Sequence, residues 1–163
     1  MPRKVKVLPG PSRLSGIMAN LTRAPRPHLV GLKTLKLTLA AKNDHFGARH
    51  FLKDDMPRIR YANPKLNIEV NKKPKTKEET WKPELVLEYN DGRTKTIDLH
   101  EQWSTDIFQR VMDAAGGTSW TRWKTEREAA GLPLLDAPTP RARAQPQPPT
   151  PNKQKSGAAA VLP

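Results

Sequence analysis

The sequence contains no cysteine. This absence excludes disulfide bonds, thiolate metal sites and any reaction that needs a cysteine nucleophile or a redox-active cysteine pair. It also leaves the cellular compartment open on redox grounds. Long apolar stretches are missing too, because no run approaches the roughly 20 residues that a membrane-spanning helix needs. We therefore expect a protein that is not integral to a membrane.

Apolar residues are scarce for a chain that is compact throughout, at 36% of 163 residues. Part of the chain is therefore expected to lie outside any hydrophobic core. The 17 prolines are concentrated toward the two ends, which indicates where those parts are. From Ala137 onward the sequence is low in complexity and rich in proline, so it cannot form a core of its own.

Positive charge is in excess and unevenly distributed. The formal net charge is +13, of which +6 falls in residues 1–30, +3 in 31–117 and +4 in 118–163. This excess favours an anionic partner, with nucleic acid ahead of an acidic membrane surface. A basic protein without such a partner is the alternative. Residues 1–30 carry no acid, so they are either a basic arm that lies on phosphate or a mitochondrial targeting sequence.

The middle of the chain alternates between strand and helix patterns. Residues 31–40 and 66–72 alternate apolar and polar side chains, which predicts two strands. Between them, an Asx side chain around Asp44 is predicted to cap a helix. Pro57 predicts a kink or a break in that helix at Met56. Its buried side is predicted to consist of Ala48, Phe51, Leu52, Met56 and Ile59.

A hairpin and a further helix complete the predicted domain. Residues 84–89 and 93–99 flank Asn90-Asp91-Gly92, a composition that supplies the positive φ angles of a tight turn. Ser104 is predicted to cap the next helix, and Gly116-Gly117 to end it. The order is β-α-β-β-β-α, with a parallel strand pair extended by an antiparallel hairpin in one mixed sheet. This order predicts an α/β (α+β) domain of thioredoxin-like topology with extended basic N- and C-terminal arms.

These patterns divide the chain into four parts. They are a basic N-terminal extension (1–30), a thioredoxin-like domain (31–117), a tryptophan-containing helix (118–135) and a proline-rich C-terminal tail (136–163). Trp120 and Trp123 are three residues apart and so share one side of that helix. We predict that both make protein contacts, either with the domain or with a partner.

Residue types that perform catalysis are present but not grouped. The four histidines are scattered, and His45 and His50 would be separated by about 140° on a helix, so they form no metal-binding pair. A glycine-rich phosphate loop and a serine nucleophile motif are also missing from the sequence. We therefore expect a protein that is not an enzyme and that uses no cofactor, metal or small-molecule substrate.

Two segments carry a family resemblance. The predicted helix starts with Phe46-Gly47-Ala48-Arg49 and runs through Pro57-Arg58-Ile59-Arg60 to its exit at Tyr61-Ala62-Asn63-Pro64. Together with the Asn90-Asp91-Gly92 hairpin, this pattern resembles a thioredoxin-like domain. That domain is shared by several mitochondrial ribosomal proteins and a small accessory subunit of respiratory complex I. The resemblance covers about residues 31–116. The long basic extensions are most similar to those of a large-subunit ribosomal protein of fungal mitochondria, because the complex I subunit is typically compact.

The resemblance implies a structural role in the matrix of the mitochondrion, in which the chain binds ribosomal RNA and other mitochondrial ribosomal proteins. An accessory role in complex I is the alternative. Phosphate is bound by long cations on exposed flanks and extended arms. Within the predicted helix between the first two strands, one stripe is predicted to carry Arg49, Lys53 and Arg60. The full set of predicted RNA contacts is Arg3, Lys4, Lys6, Arg13, Arg23, Arg26, Arg49, Lys53, Arg58, Arg60, Lys72, Lys73 and Lys75.

Overall fold

The computed structural model describes residues 12–42, 44–76 and 78–135. Its helices are α1 (Arg13–Thr22), α2 (Phe46–His50), α3 (Met56–Ala62), α4 (Ser104–Ala115) and α5 (Gly117–Ala129), and its strands are β1 (Leu32–Ala40), β2 (Asn67–Lys73), β3 (Glu84–Tyr89) and β4 (Thr94–Asp98). A π-helical turn, Phe51–Asp55, joins α2 to α3. We call the continuous segment Phe46–Ala62 the central helix.

The four strands form one mixed sheet in the order β2-β1-β3-β4. Strands β1 and β2 are parallel, whereas β1 with β3 and β3 with β4 are antiparallel. Gly92 has a φ of 83° in the turn between β3 and β4, a value that glycine adopts without strain. The predicted α/β class is confirmed, as is the mixed sheet that joins a parallel strand pair to an antiparallel hairpin.

The hydrophobic core lies between one face of the sheet and the helices. Alternate residues of β1, namely Leu35, Leu37 and Leu39, are at most 1% exposed, as a period of two requires. They pack with apolar residues of β3, of the central helix and of α4. The opposite face carries polar side chains, and there Lys36 lies between Glu69 and Glu88. Each helix in the described ranges is too short or too polar to span a bilayer.

The ends of two helices differ from prediction. Asp44 accepts a hydrogen bond from the amide of His45, but no side chain caps α2, and His45 itself has a left-handed φ of 53°. Helix α4 starts at Ser104, so the capping position falls on Trp103, and Ser104 does not cap the helix. In both cases the N-cap position falls on the residue next to the predicted one, and the side chain of that residue forms no capping hydrogen bond.

The predicted break near Pro57 takes the form of the π turn. In a regular α-helix the ring of Pro57 would clash with the carbonyl of Lys53, four residues earlier, and that carbonyl would lack its amide partner. A π turn inserts one residue into the helix and relieves this conflict. Phe51 and Met56 are five residues apart yet both buried, which is consistent with the wider turn.

Candidate nucleic-acid interface

Three of the predicted RNA contacts meet in one groove. The groove has a volume of about 480 Å³ and lies where the parallel strands β1 and β2 end and the central helix begins. Arg49, Lys53 and Lys72 line it, together with Phe46 and His50. None of the three cations forms an ion pair with a carboxylate in the described ranges. We call this feature the cationic groove.

The π turn separates Arg60 from this groove. Arg60 lines a different depression, with Leu21, Tyr61 and Val70. An inserted residue rotates everything after it by about 100° relative to a regular helix, because an α-helix has 3.6 residues per turn. The single stripe of Arg49, Lys53 and Arg60 that regular helical spacing predicts is therefore split in two.

Other predicted contacts lie along the N-terminal segment and at the end of β2. Arg13, Arg23, Arg26 and Lys73 are exposed but do not line the cationic groove. Arg3, Lys4 and Lys6 lie outside the described residues. These positions stay predictions, whereas the groove is a feature of the folded domain.

Lys75 is engaged within the protein. Its ammonium group donates a hydrogen bond to Asp44 and lies 5.5 Å from the centre of the Trp81 ring. The bond from Lys75 holds the pKa of Asp44 below its ordinary value. The side chain of Lys75 is only 13% exposed. Lys75 therefore fixes the loop after β2 to the start of the central helix, and the expectation that it contacts RNA does not fit its position.

Arg58 is buried, which corrects its assignment as an RNA contact. Its side chain is 5% exposed and forms an ion pair of 3.0 Å with Asp55. The guanidinium group also donates to the carbonyls of Arg23, at 3.0 Å, and Pro25, at 2.9 Å. A guanidinium with five donors can satisfy a carboxylate and two carbonyls together. Arg58 therefore fastens the N-terminal segment to the central helix.

Asn63 fastens the same segment at a second point. Its carbonyl oxygen accepts from the amide of Leu29 at 2.9 Å, and its amide group donates to the carbonyl of Pro27. The amide of Val30 then donates to the carbonyl of Ala115 at 2.7 Å. Arg58 and Asn63 both belong to the motif that suggested the family, and in the structure both hold residues 23–29 in place.

Burial raises the pKa of Asp55 to about 6, from 3.8, although the charge of Arg58 opposes the shift. Between about pH 4 and pH 6, Asp55 is therefore protonated in the native state and ionised in the unfolded state. The contribution of Asp55 to the free energy of unfolding is therefore expected to fall by about 3 kcal/mol as the pH rises from about 4 to 7. Urea unfolding of the wild type and of Asp55→Asn at each pH measures it, because other groups cancel in the difference. A difference that is constant with pH would contradict this expectation.

The two tryptophans of α5 contact this chain itself. Trp120 is 2% exposed and belongs to the hydrophobic core, and its indole nitrogen donates to Asp113 at 2.7 Å. The indole nitrogen of Trp123 donates to the carbonyl of Leu134 at 3.1 Å. Of the two alternatives for these side chains, packing on the chain's own domain is the one that the structure shows.

Two aromatic residues that no sequence pattern assigned to an interface are exposed beside the groove. Phe46 is 64% and Trp103 is 73% exposed. Both line a pocket of about 660 Å³ that shares Phe46 and His50 with the cationic groove. Exposed aromatics of this size are frequent anchors of macromolecular contacts. A tertiary contact brings them together, so no spacing in the sequence could have revealed the pair.

Comparison with known proteins supports the family resemblance at the level of the domain. Residues 48–102 match the family model described as the mitochondrial ribosomal protein L51 / S25 / CI-B8 domain. The family comprises mitochondrial ribosomal proteins and a complex I subunit. No curated protein matches the chain. The matched segment begins in α2 and ends just before Trp103, so it includes Arg49, Lys53 and Lys72 as well as Arg58 and Asn63.

Proposed function

With residues 48–102 matching that domain, we propose that the chain is a structural component of the mitochondrial ribosome, in its large subunit. It binds ribosomal RNA and neighbouring ribosomal proteins in the mitochondrial matrix and catalyses no reaction. The resemblance of the basic extensions to those of a fungal large-subunit protein supports this assignment within the family.

The observation that carries the proposal is the cationic groove. The groove brings together Arg49 and Lys53 of the central helix and Lys72 of the edge strand β2. None of these three charges has a carboxylate partner in the described ranges. Like charges held close together repel one another unless an anion lies between them. A phosphate backbone supplies that anion, and the release of its counterions adds to the affinity. The net charge of +13 favours the same polyanionic partner.

Helix α1 supplies a surface for neighbouring proteins. Leu14, Ile17 and Met18 follow helical spacing and are 67%, 48% and 39% exposed. No residue of α1 is buried in the described fold, yet the segment after it is fixed by Arg58 and Asn63. An exposed apolar stripe on a helix that leads into an anchored segment is typical of a surface that a partner covers.

Sedimentation of a mitochondrial lysate, with and without ribonuclease, tests the function. Mass spectrometry is expected to find this chain with a ribosomal subunit, and digestion of the RNA is expected to release it. Co-migration with the respiratory complexes, unchanged by nuclease, would overturn the proposal and favour the alternative role as an accessory subunit of complex I.

The groove itself is tested by replacing Arg49, Lys53 and Lys72 with alanine. The full chain carrying these changes is expected to bind a 12-base-pair RNA hairpin more weakly. Its slope of log affinity against log salt concentration should be smaller by about 2 to 3, because each phosphate contact contributes about 0.9. Fluorescence anisotropy at several salt concentrations measures both quantities.

A matched control removes the same charge elsewhere. Lys33, Lys65 and Arg110 are exposed and lie outside the groove. Their replacement by alanine lowers the net charge equally and is expected to change the salt slope by less than about 1. Equal effects of the two triple variants would show that net charge alone, and not the groove, determines RNA binding.

A further inference from the structure

The pocket beside the cationic groove is built by a close backbone contact. The central helix begins at Phe46, and its second residue, Gly47, meets the backbone of the loop before α4. A Cβ atom on Gly47 would lie 1.8 Å from the carbonyl oxygen of Gln102 and 3.6 Å from the Cα atom of Trp103. This contact places Phe46 and Trp103 on two adjoining walls of one pocket. We call it the aromatic pocket.

The two aromatic side chains in the walls of the aromatic pocket are exposed. Trp103 and Phe46 present most of their surface to solvent, although burying such rings is normally favourable. The pocket volume of about 660 Å³ lies within the range of small-ligand sites, about 300 to 1,000 Å³. The pocket is therefore large enough for a planar group that stacks against one of its aromatic rings.

The charges around the two depressions differ in sign. In the aromatic pocket, Lys75 is paired with Asp44. The remaining ionic groups are two carboxylates beside imidazoles. The carboxylate of Asp54 lies 3.8 Å from the ring of His50, and that of Glu101 lies 3.9 Å from the ring of His100. The carboxylates of the pocket carry negative charge, and its imidazoles, Gln102 and Ser104 can donate as well as accept hydrogen bonds. The adjoining cationic groove carries Arg49, Lys53 and Lys72. An anionic group is repelled by the first depression and attracted by the second.

We propose that the aromatic pocket receives one unpaired base of an RNA strand whose phosphate backbone lies in the cationic groove. This inference rests on the proposed function and adds what the RNA must look like, namely a bulge or loop with an unstacked base. Single-stranded bases stack on aromatic side chains and hydrogen-bond through their edges. Phe46 and His50 line both depressions, so the two sites adjoin. A base in the aromatic pocket and a phosphate in the cationic groove can therefore belong to the same nucleotide.

One carboxylate of the pocket favours certain bases. Glu101, whose side chain is 86% exposed, accepts hydrogen bonds and cannot donate them when ionised. Adenine, cytosine and guanine carry exocyclic amino donors, whereas uracil carries none and offers a single ring N–H. A bulged base with an amino group is therefore expected to bind more tightly than a bulged uracil.

The test compares RNA hairpins that differ only in a bulge. The full chain is titrated into a labelled 12-base-pair hairpin, either fully paired or with a single bulged adenosine, guanosine or uridine. We expect the hairpins with an adenosine or a guanosine bulge to bind about tenfold more tightly than the paired hairpin. The affinity of the uridine bulge is expected to lie between that of the paired hairpin and that of the two purine bulges. Trp103→Ala is expected to remove this preference while leaving affinity for the paired hairpin and the thermal unfolding midpoint unchanged.

Two variants separate this inference from the proposed function. Tyr61→Ala removes an aromatic side chain that is 52% exposed at a different depression, and it should leave the bulge preference intact. The groove variant should weaken bulged and paired hairpins alike. Equal binding of all hairpins by the wild type would overturn the base pocket but not the cationic groove. If Trp103→Ala prevented incorporation into the particle without changing any hairpin affinity, the pocket would be assigned to a protein partner.

Discussion

Replacing Gly47 by alanine is expected to destabilise the folded chain by at least about 3 kcal/mol. The added Cβ atom would lie 1.8 Å from the carbonyl oxygen of Gln102 and 3.0 Å from its carbonyl carbon. Both are backbone atoms, so no side-chain rotation relieves the overlap, and the central helix must move away from the loop before α4. Overpacking of this kind commonly costs about 1 to 3 kcal/mol where side chains can yield, and more where they cannot. Urea unfolding followed by circular dichroism measures the loss.

Gly16 provides the matched control for Gly47. It lies within α1, and a Cβ atom there would meet no heavy atom within 4 Å. Alanine is the better helix former by about 1 kcal/mol, so Gly16→Ala is expected to be neutral or slightly stabilising. A cost below about 1 kcal/mol for Gly47→Ala would show that the helix and the loop are farther apart in solution than in this structure.

Arg58→Ala is the second change with a large expected effect, a loss of about 3 to 5 kcal/mol of unfolding free energy. The substitution leaves Asp55 buried without its cation and removes the donors to the carbonyls of Arg23 and Pro25. Breaking one half of a buried ion pair costs this much because the remaining charge is uncompensated. The guanidinium also lies 5.1 Å from the centre of the Phe108 ring, so packing is lost as well.

Arg60→Ala is the control for Arg58, because Arg60 is an exposed arginine on the same helix. A surface substitution of this kind is expected to change stability by less than about 0.5 kcal/mol. Hydrogen exchange adds a local measurement. In the Arg58 variant the amides of Leu29 and Val30 should exchange faster, since the segment that carries them has lost an anchor. Equal stability of the two variants would contradict the buried ion pair.

The sheet could be predicted from the sequence because its signal is local. Leu35, Leu37 and Leu39 alternate with polar residues, and a period of two has only one structural interpretation over this length. The Asn90-Asp91-Gly92 turn is similarly local, since Gly92 supplies the positive φ that the hairpin needs. The order of these local elements predicted a parallel pair and an antiparallel hairpin in one mixed sheet, and the structure contains both.

The central helix shows where local patterns are insufficient. Regular helical spacing places Arg49 and Arg60 on one stripe, but the π turn before Pro57 shifts every later residue around the axis. Arg58 is also charged, and charge type alone predicts exposure. Its burial depends on Asp55 and on two carbonyls more than thirty residues away in the sequence, which no helical pattern contains.

The candidate interface was predicted in part. Long cations on a helix flank are visible in the sequence, and Arg49, Lys53 and Lys72 do meet in one groove. Phe46 and Trp103 lie on segments far apart in the sequence, so their pocket depends on the contact at Gly47. The chemistry that attracts phosphate can therefore be read from composition, whereas a pocket for a base requires the folded chain.

Because residues 23–30 are anchored to the folded domain, the binding of a partner to this segment is linked to the folding equilibrium of the domain. Arg58 and Asn63 hold this segment on the central helix, and Val30 holds it on α4. A partner that recognises the segment only in this anchored conformation binds the native state and not the unfolded chain. By mass action, its binding free energy then adds to the stability of the whole domain, by about 2.7 kcal/mol at a concentration one hundred times the dissociation constant. Assembly would in this way stabilise the sheet without any partner touching it.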